Sequence, residues 1–95
     1  MRQVKFENKA KLLEIFKRYG VSKAAVFGSE ARGEAKAGSD IDFLIEMDVN
    51  RSLMDLSGLK IDLEELLNKN VDLVEYHLIH PKLKNEILSE QVVIL

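Results

Sequence analysis

Two short apolar runs restrict this chain more than any other feature. Ala24-Ala25-Val26-Phe27 ends on Gly28-Ser29, and Ser39-Asp40-Ile41-Asp42 opens the run Phe43-Leu44-Ile45, with ten residues, Glu30 to Ser39, between Ser29 and Asp40. Neither run alternates, as expected of strands covered on both faces. A link this short lets the two strands pair antiparallel. A glycine–serine bend and two aspartates are then held on neighbouring strands, and the rest of the chain has to keep them there.

The flanking segments read as alternating helices and strands. Leu12, Ile15, Phe16 and Tyr19 put one apolar stripe on a helix over residues 7–19, with Asn8 as its N-cap and Gly20 at its end. Strands are expected at Val21 to Phe27, Asp40 to Glu46 and Val71 to Tyr76. A short helix is expected from Ser29 to Glu34, a loop from Gly33 to Gly38 and a polar connection from Asp48 to Ser52. The longest helix runs from Asp55 to Asn68 with Leu56, Leu59, Leu63, Leu66 and Leu67 on one side, weakened by Gly58. Pro81 suits the first position of a last helix whose inner face is Leu83, Ile87 and Leu88. Val92 to Leu95 is a candidate fourth strand. The fold class expected is α/β (α+β): a small mixed β-sheet with helices packed mainly on one face, formed by one domain over residues 1–95.

Composition narrows the function. Apolar residues make up 46% of the 95, which argues for a folded globule. With 14 basic against 16 acidic residues, net −2, the chain carries no strong signal for direct DNA binding. It has no cysteine, which excludes disulfides, thiolate zinc sites and a cysteine nucleophile. No apolar stretch is long enough for a membrane span, so a cytoplasmic location is expected.

The chemistry-bearing residues fall in two groups. Side chains alternate along a strand, so Asp40 and Asp42 share a face. If the third strand is a neighbour, Asp72 can join them at one edge of the sheet. Converging carboxylates repel and resist desolvation, and Mg²⁺ or Mn²⁺ relieves both. Taken alone, an Asp-x-Asp is commonly a solvated strand end. At the bend, Gly28 lets the backbone approach a ligand and Ser29 can help hold a phosphate. Arg32 could face the same phosphates, its alternative role being a surface salt bridge. No Walker-type or Gly-x-Gly-x-x-Gly motif is present. His77 and His80 have ligand-like spacing, but Pro81 argues against a helix through them, and His80 can serve as a helix cap. Asp62, Glu64 and Glu65 read as solvated, Lys82 and Lys84 as surface, and Tyr19 and Tyr76 as core or rim aromatics.

Taken together, Gly28-Ser29-Glu30-Ala31-Arg32-Gly33, then Ser39-Asp40-Ile41-Asp42, then Val71-Asp72-Leu73-Val74 resemble the signature of the DNA polymerase beta-like nucleotidyltransferases, in particular their minimal, MNT-type branch. The resemblance implies a nucleotidyltransferase fold and Mg²⁺-dependent transfer of a nucleoside monophosphate. Gly28, Ser29 and Arg32 would bind the nucleotide, Asp40, Asp42 and Asp72 would be catalytic metal ligands, and Asp72 could also serve as base for the acceptor hydroxyl. It further implies a HEPN-domain toxin as partner, with AMP moved from ATP to a toxin tyrosine and this chain acting as antitoxin of a type VII module, as a homo- or hetero-oligomer. Two other readings are a non-catalytic binding module of the same fold that neutralises a partner by contact, and a subunit acting on a small molecule or nucleic acid.

Overall fold

In the computed structural model, residues 6–34, 36, 38–48 and 50–95 are described. Residues 1–5 of the expected domain, Ala35 and Ala37 of the expected loop, and Val49 of the polar connection lie outside the described residues.

Local signals set most element ends. Helix α1 (Lys9–Arg18) buries Leu12, Ile15 and Phe16 on one stripe. The Asn8 side chain accepts a hydrogen bond from the Lys11 N–H at 3.2 Å, satisfying one of the orphan amides of the first turn. Gly20 takes φ +75°, and the chain enters strand β1 (Val21–Phe27) at once. A four-residue helix, α2 (Ser29–Arg32), stops two residues short of the expected Glu34, because Gly33 adopts the left-handed conformation.

Strand β2 (Ile41–Met47) pairs antiparallel with β1, opposing Ala25 to Leu44 and Phe27 to Asp42. Helix α3 (Leu53–Leu67) starts two residues before the expected Asp55. Ser52 and Asp55 form a capping box: the Ser52 N–H donates to Asp55 Oδ2 at 2.9 Å and the Asp55 N–H donates to Ser52 Oγ at 3.4 Å. Two first-turn amides are thereby satisfied, which moves the start upstream. Strand β3 (Val71–Glu75) then lies parallel to β2. Tyr76, expected as the strand's last residue, instead opens a 3-10 turn, Tyr76–Leu78. Helix α4 (Pro81–Glu90) has Pro81 in its first turn and leads into β4 (Val92–Val93), which pairs antiparallel with β1. The sheet order is β3-β2-β1-β4.

The two faces of the sheet are packed unequally. Helices α1 and α3 cover one face, where Leu12, Phe16, Leu59 and Leu63 bury Val26, Ile41, Phe43, Ile45 and Val71. Phe43 is the centre of that layer: its ring meets Phe16 edge-on at 5.4 Å between centroids and stacks with Phe6 at 6.3 Å. On the other face Ala25, Leu44 and Ile79 form a smaller cluster with Phe27, Val74, Tyr76, Ile87 and Leu88. Leu83 was expected beside Ile87 and Leu88, but it stands in solvent. Only the second half of α4, which carries Ile87 and Leu88, packs on this face, and the first turn stands clear of it.

Two residues expected to be solvated instead tie α3 down. Tyr19 Oη donates to Asp62 at 2.6 Å, and the Val71 N–H donates to Glu64 Oε2 at 2.9 Å. Gly58 makes room for Tyr19: a Cβ there would sit 3.0 Å from the ring. Among the described residues no helix is long and apolar enough to cross a membrane.

If Phe43 centres the main core, Phe43→Ala should cost about 3–5 kcal/mol, transfer and cavity terms together. A domain of this size has a total stability of roughly 5–15 kcal/mol. Urea unfolding followed by circular dichroism should show a large fall in midpoint with little change in slope.

Candidate functional site

Strand direction determines where the acidic groups meet. β2 and β3 run parallel and begin together, whereas β1 runs opposite to β2. The first residues of β2 and β3 and the last of β1 therefore gather at one end of the sheet. Register places Phe27, Asp42 and Asp72 in a single row across β1, β2 and β3. Along β2, Asp42 and Leu44 share a face while Phe43 and Ile45 take the other. Leu44 belongs to the smaller cluster, so the row projects on the α4 side of the sheet.

Asp42 is half-buried, whereas Asp40 and Asp72 are exposed. Asp40 was expected as the first residue of the strand and instead precedes it. The ladder begins at Ile41, whose N–H donates to the Asn70 carbonyl at 2.9 Å. Burial pushes the Asp42 carboxyl above the usual carboxylate range, and the charge of Asp72, a hydrogen-bonding contact with it and the charge of Asp40 add to the effect. Arg32 pulls in the other direction. Asp42 is thus an acid crowded by acids.

The bend packs directly against it. Gly28 has φ 74° and ψ −149°, a combination that glycine alone adopts readily. A Cβ on Gly28 would lie 2.5 Å from Asp42 Oδ2. The backbone angle requires glycine, and a Cβ there would in addition push the Asp42 carboxylate aside. Ser29 opens α2, and the N-cap residue, Gly28, has no side chain with which to cap the amides of that first turn. The Arg32 N–H returns to the Gly28 carbonyl at 3.1 Å and the Glu34 N–H to the Ser29 carbonyl at 2.9 Å, holding the bend closed.

Arg32 is held by two carboxylates. Its Nε meets Glu34 Oε2 at 3.1 Å and its Nη1 meets Glu90 Oε2 at 3.2 Å. This is the salt-bridge role, and it links the bend to the end of α4. Behind the bend, Glu30 lies 3.9 Å from Lys69. Sequence inspection singled out none of Glu34, Glu90, Glu30 or Lys69 as belonging to this neighbourhood. Glu90 is 58 residues from Arg32, and no local pattern announces such a pair. The histidines are placed elsewhere: His80 Nδ1 accepts from the Lys82 N–H at 3.1 Å and caps α4, and His77 lines a hollow with Glu46 and Glu75 at the opposite strand ends.

The donor set suits a hard divalent cation. Asp42 and Asp72 offer carboxylate oxygens side by side, and Asp42 resists ionisation first through burial and then through the charges of Asp72 and Asp40, both of which a bound cation would offset. Among the described residues, no three of histidine, cysteine, aspartate and glutamate come close enough to hold an ion by themselves. Mg²⁺ commonly takes one or two protein carboxylates and fills its shell with water and substrate phosphates, so the pair fits that chemistry.

A family model described as "Nucleotidyltransferase domain" matches residues 9–94. The Methanocaldococcus jannaschii protein named "Putative protein adenylyltransferase MJ0435" is 49% identical over 89 residues, covering 94% of this chain and 96% of that one. The Thermococcus cleftensis protein named "Protein adenylyltransferase MntA" is 39% identical over 79 residues, covering 83% of this chain and 80% of its own. A solved structure of tri-AMPylated Shewanella oneidensis HEPN toxin in complex with MNT antitoxin matches with a TM-score of 0.68 at 18% identity, covering 93% of this chain and 69% of that one. At that identity the likeness is one of fold.

Two substitutions probe this geometry without reference to any reaction. Gly28→Ala should destabilise by about 1–3 kcal/mol from backbone strain alone, with displacement of Asp42 added. Asp42→Asn should raise the melting temperature at neutral pH in the absence of metal. The sign follows from linkage: with its folded pKa raised, Asp42 makes stability fall as pH climbs from its unfolded value of 3.8 through the folded one, and asparagine removes that loss. Thermal melts across about pH 3 to 8 should show the two curves diverging as pH rises.

Proposed function

The chain belongs to the nucleotidyltransferase domain family, and from that premise we propose that it moves AMP from ATP to a hydroxyl of a partner protein, a tyrosine of a HEPN toxin, and so acts as an antitoxin of a type VII module. The observation that carries this reading is the row in which Asp42 stands beside Asp72 with the Gly28 bend against it. The two relatives are named as protein adenylyltransferases, and the neighbour of the same fold is an MNT antitoxin bound to an AMPylated HEPN toxin. These are properties of those proteins, and they support the extension to this one.

Each residue has a part in the proposed reaction. Gly28, having no side chain, lets the triphosphate come against the backbone, where the amides and hydroxyl at Ser29 can donate to its oxygens. Asp42 and Asp72 would hold the divalent cation, Mg²⁺, with water and substrate phosphates completing its shell, and Asp40 would add its charge to theirs. When bound there, the cation would draw charge from the phosphoryl oxygens and lower the pKa of the attacking hydroxyl. Asp72 is exposed and accepts the hydroxyl proton. The tyrosine oxygen bonds to the α-phosphorus as the bond to the β-phosphate oxygen breaks, leaving AMP on the partner and pyrophosphate free. Arg32 belongs to nucleotide binding in this reading, and Glu34 and Glu90 orient its guanidinium. Rate comes from placement and charge neutralisation, with no covalent enzyme intermediate.

The purified chain, Mg²⁺, ATP labelled at the α-phosphate and a HEPN-domain protein should yield labelled partner and pyrophosphate. Asp42→Asn and Asp72→Asn should each cut labelling by about 10²-fold or more, and a chelator should abolish it. Tight partner binding without label, unchanged by Asp42→Asn, would instead identify a binding module. Label on RNA or a small alcohol would move the acceptor to another class.

A further inference from the structure

The end of the sheet away from Asp42 carries apolar and charged surface that the fold leaves uncovered. Leu53 is 81% exposed, Met54 85%, Leu78 66% and Leu83 50%. Leu53 and Leu56 line a hollow of about 440 Å³ whose rim includes Glu46, Asp48, Glu75 and His77. A second hollow shares Glu46 and His77 and extends to Lys84. The two adjoin at His77. One is walled by three carboxylates and by Arg51, whose own partner is Asp55 at 3.9 Å, and the other reaches Lys84, beside Lys82 and Leu83 in the free first turn of α4. Among the described residues, none of Glu46, Asp48, Glu75, Lys82 and Lys84 takes part in an ion pair.

An apolar surface with an acidic half beside a basic half complements itself. We propose that two copies of this chain pair across a two-fold axis near His77. Lys82-Leu83-Lys84 of each copy then lies against Leu53-Met54 and the Glu46, Asp48 and Glu75 rim of the other. A second copy fits better than a partner of one charge sign, which would be attracted by one half and repelled by the other. The apolar contacts supply affinity, and the charges set register and exclude wrong pairings. Since the surface lies at the opposite strand ends from Asp42 and Asp72, the pairing does not depend on the proposed reaction and leaves that site open.

Sedimentation velocity of the purified chain over a concentration series tests this directly. The wild type should move from monomer to twice the monomer mass, with a dissociation constant that rises with salt. The double variant Asp48→Lys with Glu75→Lys should be monomeric where the wild type is dimeric, and so should Lys82→Glu with Lys84→Glu. Each should have its dissociation constant raised at least about tenfold. An equal mixture of the two double variants should recover the dimer, because each acidic half then meets a basic one. Met54→Asp should also weaken pairing, and circular dichroism confirms that each variant is folded. A wild type that stays monomeric to its highest soluble concentration overturns the proposal, even if some other protein covers Met54. Double variants that dimerise as the wild type does, or a mixture of folded variants that fails to pair, also overturn it.

Discussion

The structure depends on the parallel register of β2 against β3. That register sets Asp42 beside Asp72 at the end of the sheet where β1 finishes. Two like charges on adjacent strands oppose the pairing that brings them together. The pairing persists because the next residues on each strand are apolar, and the opposite face of β2 is anchored by Phe43 between Phe16 and Phe6. Burial of the core face holds together a site that would separate by itself. An uncompensated acid cluster of this kind is expected where a cation and phosphates are handled, and it accords with membership of the nucleotidyltransferase family.

The bend after β1 is the second constraint. Gly28 closes on the Asp42 carboxylate so tightly that a Cβ there would displace it. The same bend carries Ser29 and, through α2, Arg32, whose guanidinium reaches the end of α4 at Glu90. A residue near the C-terminus is in this way connected to the turn beside the acids. The helix that carries Glu90 is thinly packed, with Ile87 and Leu88 partly buried and its first turn free. Shallow burial lowers the cost of local opening. The α1/α3 face is thus the rigid support, and the α4 face, onto which Asp42 and Asp72 project, is the adaptable one. The far strand ends form a third region, distinct from both, where apolar side chains and unpaired charges remain on the surface.

Much of this organisation was legible in the chain itself. Asn8, Gly20 and Pro81 mark helix ends because their effects act within one turn. The short link after Ser29 allows an antiparallel neighbour and the long helix before Val71 allows a crossover to a parallel one, and the sheet has both. The Gly-Ser and Asp-x-Asp strings carried the resemblance to the family. Legible but overlooked was Ser52 with Asp55, a pair three positions apart that starts α3.

Other features had no signal within reach of a local reading. Leu83 has the spacing of an inner-face residue, yet only the second half of α4 packs on the sheet, which leaves Leu83 exposed. Asp62 and Glu64 lie on a polar stripe, yet neighbouring elements supply Tyr19 and the Val71 amide as their partners. Arg32 finds Glu90 across 58 residues. Sequence alone determined which elements form and in what order, because capping, periodicity and turn chemistry act over three or four residues. Only the tertiary structure decided which side chains meet, because strand register and helix docking are set by the burial of the whole core.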